Sequence, residues 1–180
     1  LLEKPISTTV GEGKEIIALA QASGALLQIG HLERFNPAVV ALEGKIHEPR
    51  FIESHRLSIF QGRCTDVSVV LDLMIHDLDI ILQWDRSGVA KINASGIPVI
   101  SKKVDIANVR LEFANGCIAN VTASRISAKK MRKIRIFQPH SYLSIDFANK
   151  EVELFRKLPE FCANGFPEME YQWLPVADAD

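Results

Sequence analysis

The chain has 180 residues, 47% of them hydrophobic and 24% charged, an ordinary globular composition with room for one domain or one and part of another. Its 21 Lys and Arg against 22 Asp and Glu leave a formal charge of −1, which gives no electrostatic footprint for nucleic acid or a membrane surface. Three scattered cysteines, Cys64, Cys117 and Cys162, form no CxxC, which argues against a disulfide scaffold or structural zinc and for a reducing cytoplasm.

LLEKP reads as the end of a strand closed by Pro5. In TTVGEGKEIIALAQASG a threonine caps a helix carrying Ile16, Ile17, Leu19 and Ala20, and Gly24 stops it. ALLQIGH follows as a short apolar run typical of a buried strand. Residues 1–30 thus predict strand–helix–strand, the tail of a parallel α/β unit. RFNPAVVALEGKI starts another helix, with Asn36 as its cap and Pro37 at its first position. The start on Leu1 in mid-element and the end on PVADAD predict a piece of a longer polypeptide.

The texture then changes. PRFIESHRLSIF (49–60) reads as a strand on which His55 and Arg56 alternate, so that one could face the cleft, with neither ranking above a surface residue. DVSVVLDLMIHDLDIILQW predicts a helix from Asp66 to Trp84, with Asp66 after GRCT as its cap or first-turn carboxylate. From Ala90 onward strands dominate. NVRLEFANGCIANVTAS forms two alternating runs about Asn115–Gly116, a strong hairpin signal. MRKIRIFQPHSYLSIDFANKEVELFRK adds three more strands, for a mostly antiparallel sheet of five or six. The basic cluster SAKKMRKIR (127–135) is a solvated strand edge or an anion contact. The fold class is α+β, and an open sheet with one uncovered face predicts a homodimer or homotetramer. No apolar run spans a membrane.

DLMIHDLD (72–79) places a histidine and three aspartates in the most apolar segment. At about 100° per residue, Ser68, Asp72, His76, Asp79 and Gln83 fall within roughly 80° on the helix surface. Asp77 lies off this stripe, and Asp79 receives no role. Such a stripe faces either solvent, as in any amphipathic helix, or a cleft. Asp72 and His76, at i and i+4, are spaced to meet, and an Asp–His pair raises imidazole basicity for acid–base chemistry. G-x-G-x-x-G, P-loop, G-x-S-x-G and H-E-x-x-H motifs do not occur in the chain.

Three features in order carry a resemblance: EKP (3–5) closing a strand, GHLERFNPA (30–38) closing the next and starting a helix, and D-x-x-x-H in DLMIH (72–76). Together they resemble the glucose–fructose oxidoreductase / inositol dehydrogenase / MocA family of nicotinamide-dependent sugar oxidoreductases. GHLERFNPAV, ESHRL, VVLDLMIHDLDIIL, LEFANGCIANVTASR and IFQP are similar to the bacterial subgroup oxidising UDP-N-acetylglucosamine at C3 in lipid A biosynthesis.

The resemblance implies that residues 1–35 end a Rossmann-type dinucleotide-binding domain and that 36–180 form the domain for substrate binding and oligomerisation. It implies hydride transfer from a sugar or nucleotide-sugar carbinol to NAD or NADP, with Lys4 and His76 handling the proton and Asp72 orienting the histidine or binding a sugar hydroxyl. Glu3, Lys4, Pro5 and His31 would lie at the cofactor, with family precedent for a cis bond before Pro5. Arg34, Asn36, Asp72 and Arg125 would lie at the substrate, Arg125 facing a diphosphate. The plain alternatives are a solvent-facing His31, Asn36 as a helix cap, and Arg125 as strand-edge charge. The family's RRF/Y stretch reads Glu33–Arg34 here, which weakens anion binding at that point, and the usual closing C-terminal helix is not evident. Two other readings compete: a non-catalytic sugar-binding or assembly module, and a metal site of Asp72, His76 and Asp79.

Overall fold

The computed structural model describes residues 1–62, 66–162 and 166–176. β1 (Leu2–Glu3) and β2 (Ile29–Gly30) pair in parallel, joined by α1 (Val10–Ser23). Thr9 and Glu12 form a reciprocal capping box at the start of α1, and Gly24 ends it at φ 66°, where a side chain is disfavoured. The strand–helix–strand reading holds, with one correction. The ALLQIGH run is not a buried strand: only Ile29–Gly30 pairs, and Leu26 is 92% exposed. The physical reason is that β2 has a single neighbour, β1, and nothing described lies over Leu26.

A turn of 3₁₀ helix (Leu32–Phe35) leads into α2 (Pro37–Val40), whose Ala38 N–H donates to the Asn36 side chain at 3.0 Å. The remaining strands are β3 (Phe51–Leu57), β4 (Val89–Ile97), β5 (Ile106–Phe113), β6 (Ile118–Ser124), β7 (Met131–Phe137), β8 (Ser141–Asp146), β9 (Glu151–Phe161) and β10 (Pro167–Leu174). They form one eight-stranded sheet in the order β10-β9-β8-β7-β3-β6-β5-β4, antiparallel except for β3 beside β6. The sheet is thus larger than the five or six strands expected. Its extra strands lie at the edges: β4 is exposed along its whole length, and alternation gives it no buried face to betray it.

One face of the sheet is covered. Ile52, Ala119, Val121, Ile134, Ile136, Leu143 and Ile145 lie there, fully buried, with Met74, Ile80 and Ile81 of the helical layer. That layer is a π-turn (Val70–Met74) running into α3 (Ile75–Trp84). The expected helix from Asp66 is corrected: helical structure begins at Val69, whose N–H donates to the Val104 carbonyl at 2.9 Å, so that docking, not an Asp66 cap, sets the start. GRCT falls partly on residues 63–65, outside the described residues. No helix among the described residues is long and apolar enough to cross a membrane.

The Asn115–Gly116 hairpin forms as expected, with Gly116 at φ 87° and the Cys117 N–H donating to Asn115 Oδ1. Cys117 is buried and its thiol is pushed up to about 12 by burial and the nearby Asp85 carboxylate, an inert core thiol.

Candidate active site

The carboxyl ends of β1 and β2 carry Glu3–Lys4–Pro5 and Gly30–His31, the edge at which open parallel α/β units place their ligands. The Lys4–Pro5 peptide bond is cis. Gly30 lets the Glu3 carboxylate lie close: a Cβ there would come within 3.2 Å of both its oxygens and push that side chain aside. Lys4 then reaches 68 residues along the chain. Its Nζ donates to the Asp72 carbonyl at 2.6 Å and lies 3.8 Å from Asp72 Oδ1. EKP and DLMIH therefore meet.

The π-turn changes what the 100° projection implies. Its wider turn rotates Asp72 relative to His76, and no hydrogen bond joins them among the described residues; Asp72 instead faces Lys4. His76 Nδ1 is buried without a hydrogen-bond partner. The expected rise in basicity is reversed: burial, then the positive charges of Arg56 and Lys4, lowers His76 to about 4. The imidazole is consequently neutral at physiological pH and offers a lone pair.

Asp77, off the stripe, faces the sheet. Its Oδ1 accepts from Arg56 Nε (2.8 Å) and Nη2 (2.6 Å), and its Oδ2 accepts from Ser54 Oγ (2.8 Å). Arg56 also lies 3.5 Å from Glu33 and stacks over the Phe147 ring at 5.7 Å. Reading Arg56 as no better than a surface residue is thus corrected: it is the buried cation under the site, on the same strand face as Ile52 and Ser54. Sequence reasoning missed it because alternation along β3 does not say which face the helix covers. The available signal was an unassigned Asp77 one helical turn from apolar neighbours.

Asp79 acquires a partner too. Arg34 grips it in a fork, Nε to Oδ2 at 2.6 Å and Nη2 to Oδ1 at 2.5 Å, and His31 Nδ1 lies 3.7 Å from Oδ1. Arg34 lines a hollow with Gln83 and Trp84 toward the far end of α3, separate from the Asp72 cavity. Asn36 spends its Oδ1 on the α2 cap. Arg125 is buried: its Nη2 donates to the Val67 carbonyl at 2.7 Å, and its Nε lies 3.7 Å from Asp105. Arg125 and Asp72 line a common cavity of about 290 Å³. Among the described residues no group of three or more His, Cys, Asp or Glu could hold a metal, with Asp72 turned to Lys4 and Asp79 to Arg34.

Three buried polar atoms without hydrogen bonds, His31 Nδ1, Glu33 Oε2 and His76 Nδ1, gather at this edge of the parallel strands. Two of them face charged groups, Glu33 Oε2 the Arg56 guanidinium at 3.5 Å and His31 Nδ1 the Asp79 carboxylate at 3.7 Å, which leaves His76 Nδ1 as the one of the three without such a partner.

No protein-family model matches the chain. It is 35% identical over 158 residues to a UDP-N-acetylglucosamine 3-dehydrogenase of Acidithiobacillus ferrooxidans, covering 87% of this chain and 50% of that protein. A crystal form of that enzyme superposes with a TM-score of 0.88 at 32% identity, over 99% of this chain and 57% of the other. An inositol 2-dehydrogenase of Paracoccus denitrificans is 28% identical over 130 residues, 66% of this chain and 38% of that one. Levoglucosan dehydrogenase in complex with NADH and L-sorbose shares the fold at 17% identity and a TM-score of 0.78, over 95% of this chain and 53% of the other. The chain spans about half the length of the curated relatives it matches, or less. On this similarity the chain belongs to the glucose–fructose oxidoreductase / inositol dehydrogenase / MocA family of oxidoreductases.

Proposed function

We propose that this chain carries the substrate side of an NAD- or NADP-dependent dehydrogenase that oxidises a sugar or nucleotide-sugar hydroxyl, of the UDP-N-acetylglucosamine type at C3. Residues 1–35 then end the dinucleotide-binding domain, and 36–180 form the domain for substrate and assembly. The observation that carries this reading is the 2.6 Å contact of Lys4 with the π-turn next to His76, across 68 residues of sequence. The names of relatives aligned over 87% and 66% of the chain support it.

Glu3, Lys4, Pro5 and His31 would border the nicotinamide, which when bound accepts the hydride from the carbinol carbon. The other steps belong to this chain. The Lys4 ammonium, fixed by Asp72, points a donor at the substrate oxygen and stabilises the charge that develops there. The neutral His76 imidazole takes the hydroxyl proton. Arg34 acts at one remove, holding Asp79 beside His31. Arg125, paired with Asp105, lines the wall of the cavity at Asp72. The open sheet face pairs copies of the chain into a dimer or tetramer.

The test is turnover of UDP-N-acetylglucosamine with NAD or NADP by the complete polypeptide. His76→Ala is expected to lower kcat by about 10²-fold or more. In the unsubstituted enzyme, kcat/KM is expected to hold down to mildly acid pH and fall as His76 protonates near its value of about 4. Unchanged turnover in the alanine variant would remove His76 from the mechanism and the reading with it.

A further inference from the structure

We propose that the cavity beside Asp72 is a phosphate subsite, gripped by Lys130 and Arg132, which makes this a site for nucleotide sugars and not for neutral ones. The proposal rests on the dehydrogenase reading and names what that site selects. The cavity of about 290 Å³ is lined by Ser58, Phe60, Asp72, Arg125, Lys130 and Arg132 among others. Ligand pockets usually run from about 300 to 1,000 Å³, so this one suits a phosphate or diphosphate and not a whole nucleotide sugar.

The charge arrangement points to an anion. Arg132 of β7 is the direct cross-strand partner of Arg56 of β3. Two arginines opposite one another on one face repel, and sheets avoid such pairs. Arg56 is compensated by Asp77 and Glu33. Arg132 has no ion pair among the described residues, nor has Lys130. Other cations of the same basic cluster fare differently. Lys133 and Arg135, pointing to the open face, find Asp146 (3.0 Å) and Glu53. The cluster therefore satisfies its charges on the open face and leaves two of them at the mouth of the cavity.

Arg125 also lines the cavity but is held by the Val67 carbonyl and lies 3.7 Å from Asp105, which compensates its charge, so the grip falls to Lys130 and Arg132. The acid among the lining residues is Asp72, and Lys4 faces it from the reacting side at 3.8 Å. Asp72 thus stands between the proton-handling groups and the cavity, which puts a bound phosphate next to the sugar being oxidised. A guanidinium can hold phosphate through two parallel N–H donors, and a lysine adds a point charge.

The experiment is equilibrium titration of the complete polypeptide with UDP, UMP and N-acetylglucosamine as probes, alongside KM for UDP-N-acetylglucosamine. UDP is expected to bind more tightly than UMP. Lys130→Ala/Arg132→Ala should weaken UDP about tenfold or more and raise KM by a similar factor, while Arg132→Lys recovers part of the loss. Lys133→Ala, which removes the same charge from the other face of β7, should leave UDP affinity as it was. Equal UDP affinity in the double variant and the parent would overturn the subsite while leaving His76-dependent turnover, and so the dehydrogenase reading, intact. Equal kcat/KM for free N-acetylglucosamine and its UDP form would overturn it too. Tight UDP binding lost in the double variant, without turnover of any sugar, would support the subsite and refute the dehydrogenase reading.

Discussion

The two faces of the eight-stranded sheet are made by the same strands and do different work. β3 sends Ile52, Ser54 and Arg56 to the covered face and Phe51, Glu53, His55 and Leu57 to the other. On the covered face ion pairs are sealed from water: the Arg56–Asp77 side chains are 4% and 2% exposed and those of Arg125–Asp105 6% and 0%. On the open face the pairs Glu53–Arg135 and Lys133–Asp146 border an aromatic row, Phe51–Phe137–Tyr142–Phe155–Tyr171, whose ring centroids lie 4.8 to 5.9 Å apart. Residue type is therefore a poor guide to weight. A buried charge whose partner is removed is left stranded, whereas a charge at the surface turns to water.

The largest effect should come from the covered face. Asp77→Ala leaves Arg56 buried with only Glu33 at 3.5 Å and strips the Ser54 hydroxyl of its acceptor. A loss of about 3–5 kcal/mol in unfolding free energy is expected from urea denaturation. A loss below about 1 kcal/mol would put this pair in the class of surface ion pairs and erase the contrast. His76→Ala has no such partner to strand, so its cost should fall on turnover.

This asymmetry also marks what the sequence could tell. Features closed within a few residues were legible: the Thr9 cap and Gly24 stop of α1, the Asn36 cap of α2, and the Asn115–Gly116 turn, because each is a local backbone need met by a local residue. The site was legible only in part. Lys4, Asp72 and His76 do lie at one edge, yet the π-turn at Val70–Met74 breaks the regular projection that paired Asp72 with His76. Arg56 and Asp77 are 21 residues apart, and nothing in the alternation of β3 said that its even positions would face α3. Asp79 looked idle because its partner, Arg34, lies 45 residues upstream. Each miss is a tertiary contact, which local propensity and periodicity do not carry.

On the open face the next largest effect should appear in assembly and not in folding. An aromatic row on an uncovered sheet exposes contiguous apolar surface of the kind that marks an interface. Phe155, near the centre of that row, touches both Tyr142 and Tyr171. Sedimentation at micromolar concentration is expected to give a dimer or tetramer, and Phe155→Lys should weaken it by at least about 2 kcal/mol, or roughly thirtyfold in Kd. A parent chain that sediments as a monomer would leave the open face a solvated surface.

The smallest effect is expected from Arg135→Ala, and its size depends on the outcome just described. In one copy Arg135 is 44% exposed and its partner Glu53 28%, so losing the pair should cost no more than about 1 kcal/mol and fade with added salt. If a second copy covers this face, the Glu53 carboxylate left behind is desolvated, and the cost should grow with protein concentration as the chain associates. Urea unfolding of Arg135→Ala at low and high protein concentration therefore separates the two cases. A cost that stays small at both concentrations would mean that Glu53 and Arg135 remain in water, and that any contact between copies lies farther along the aromatic row, toward β9 and β10.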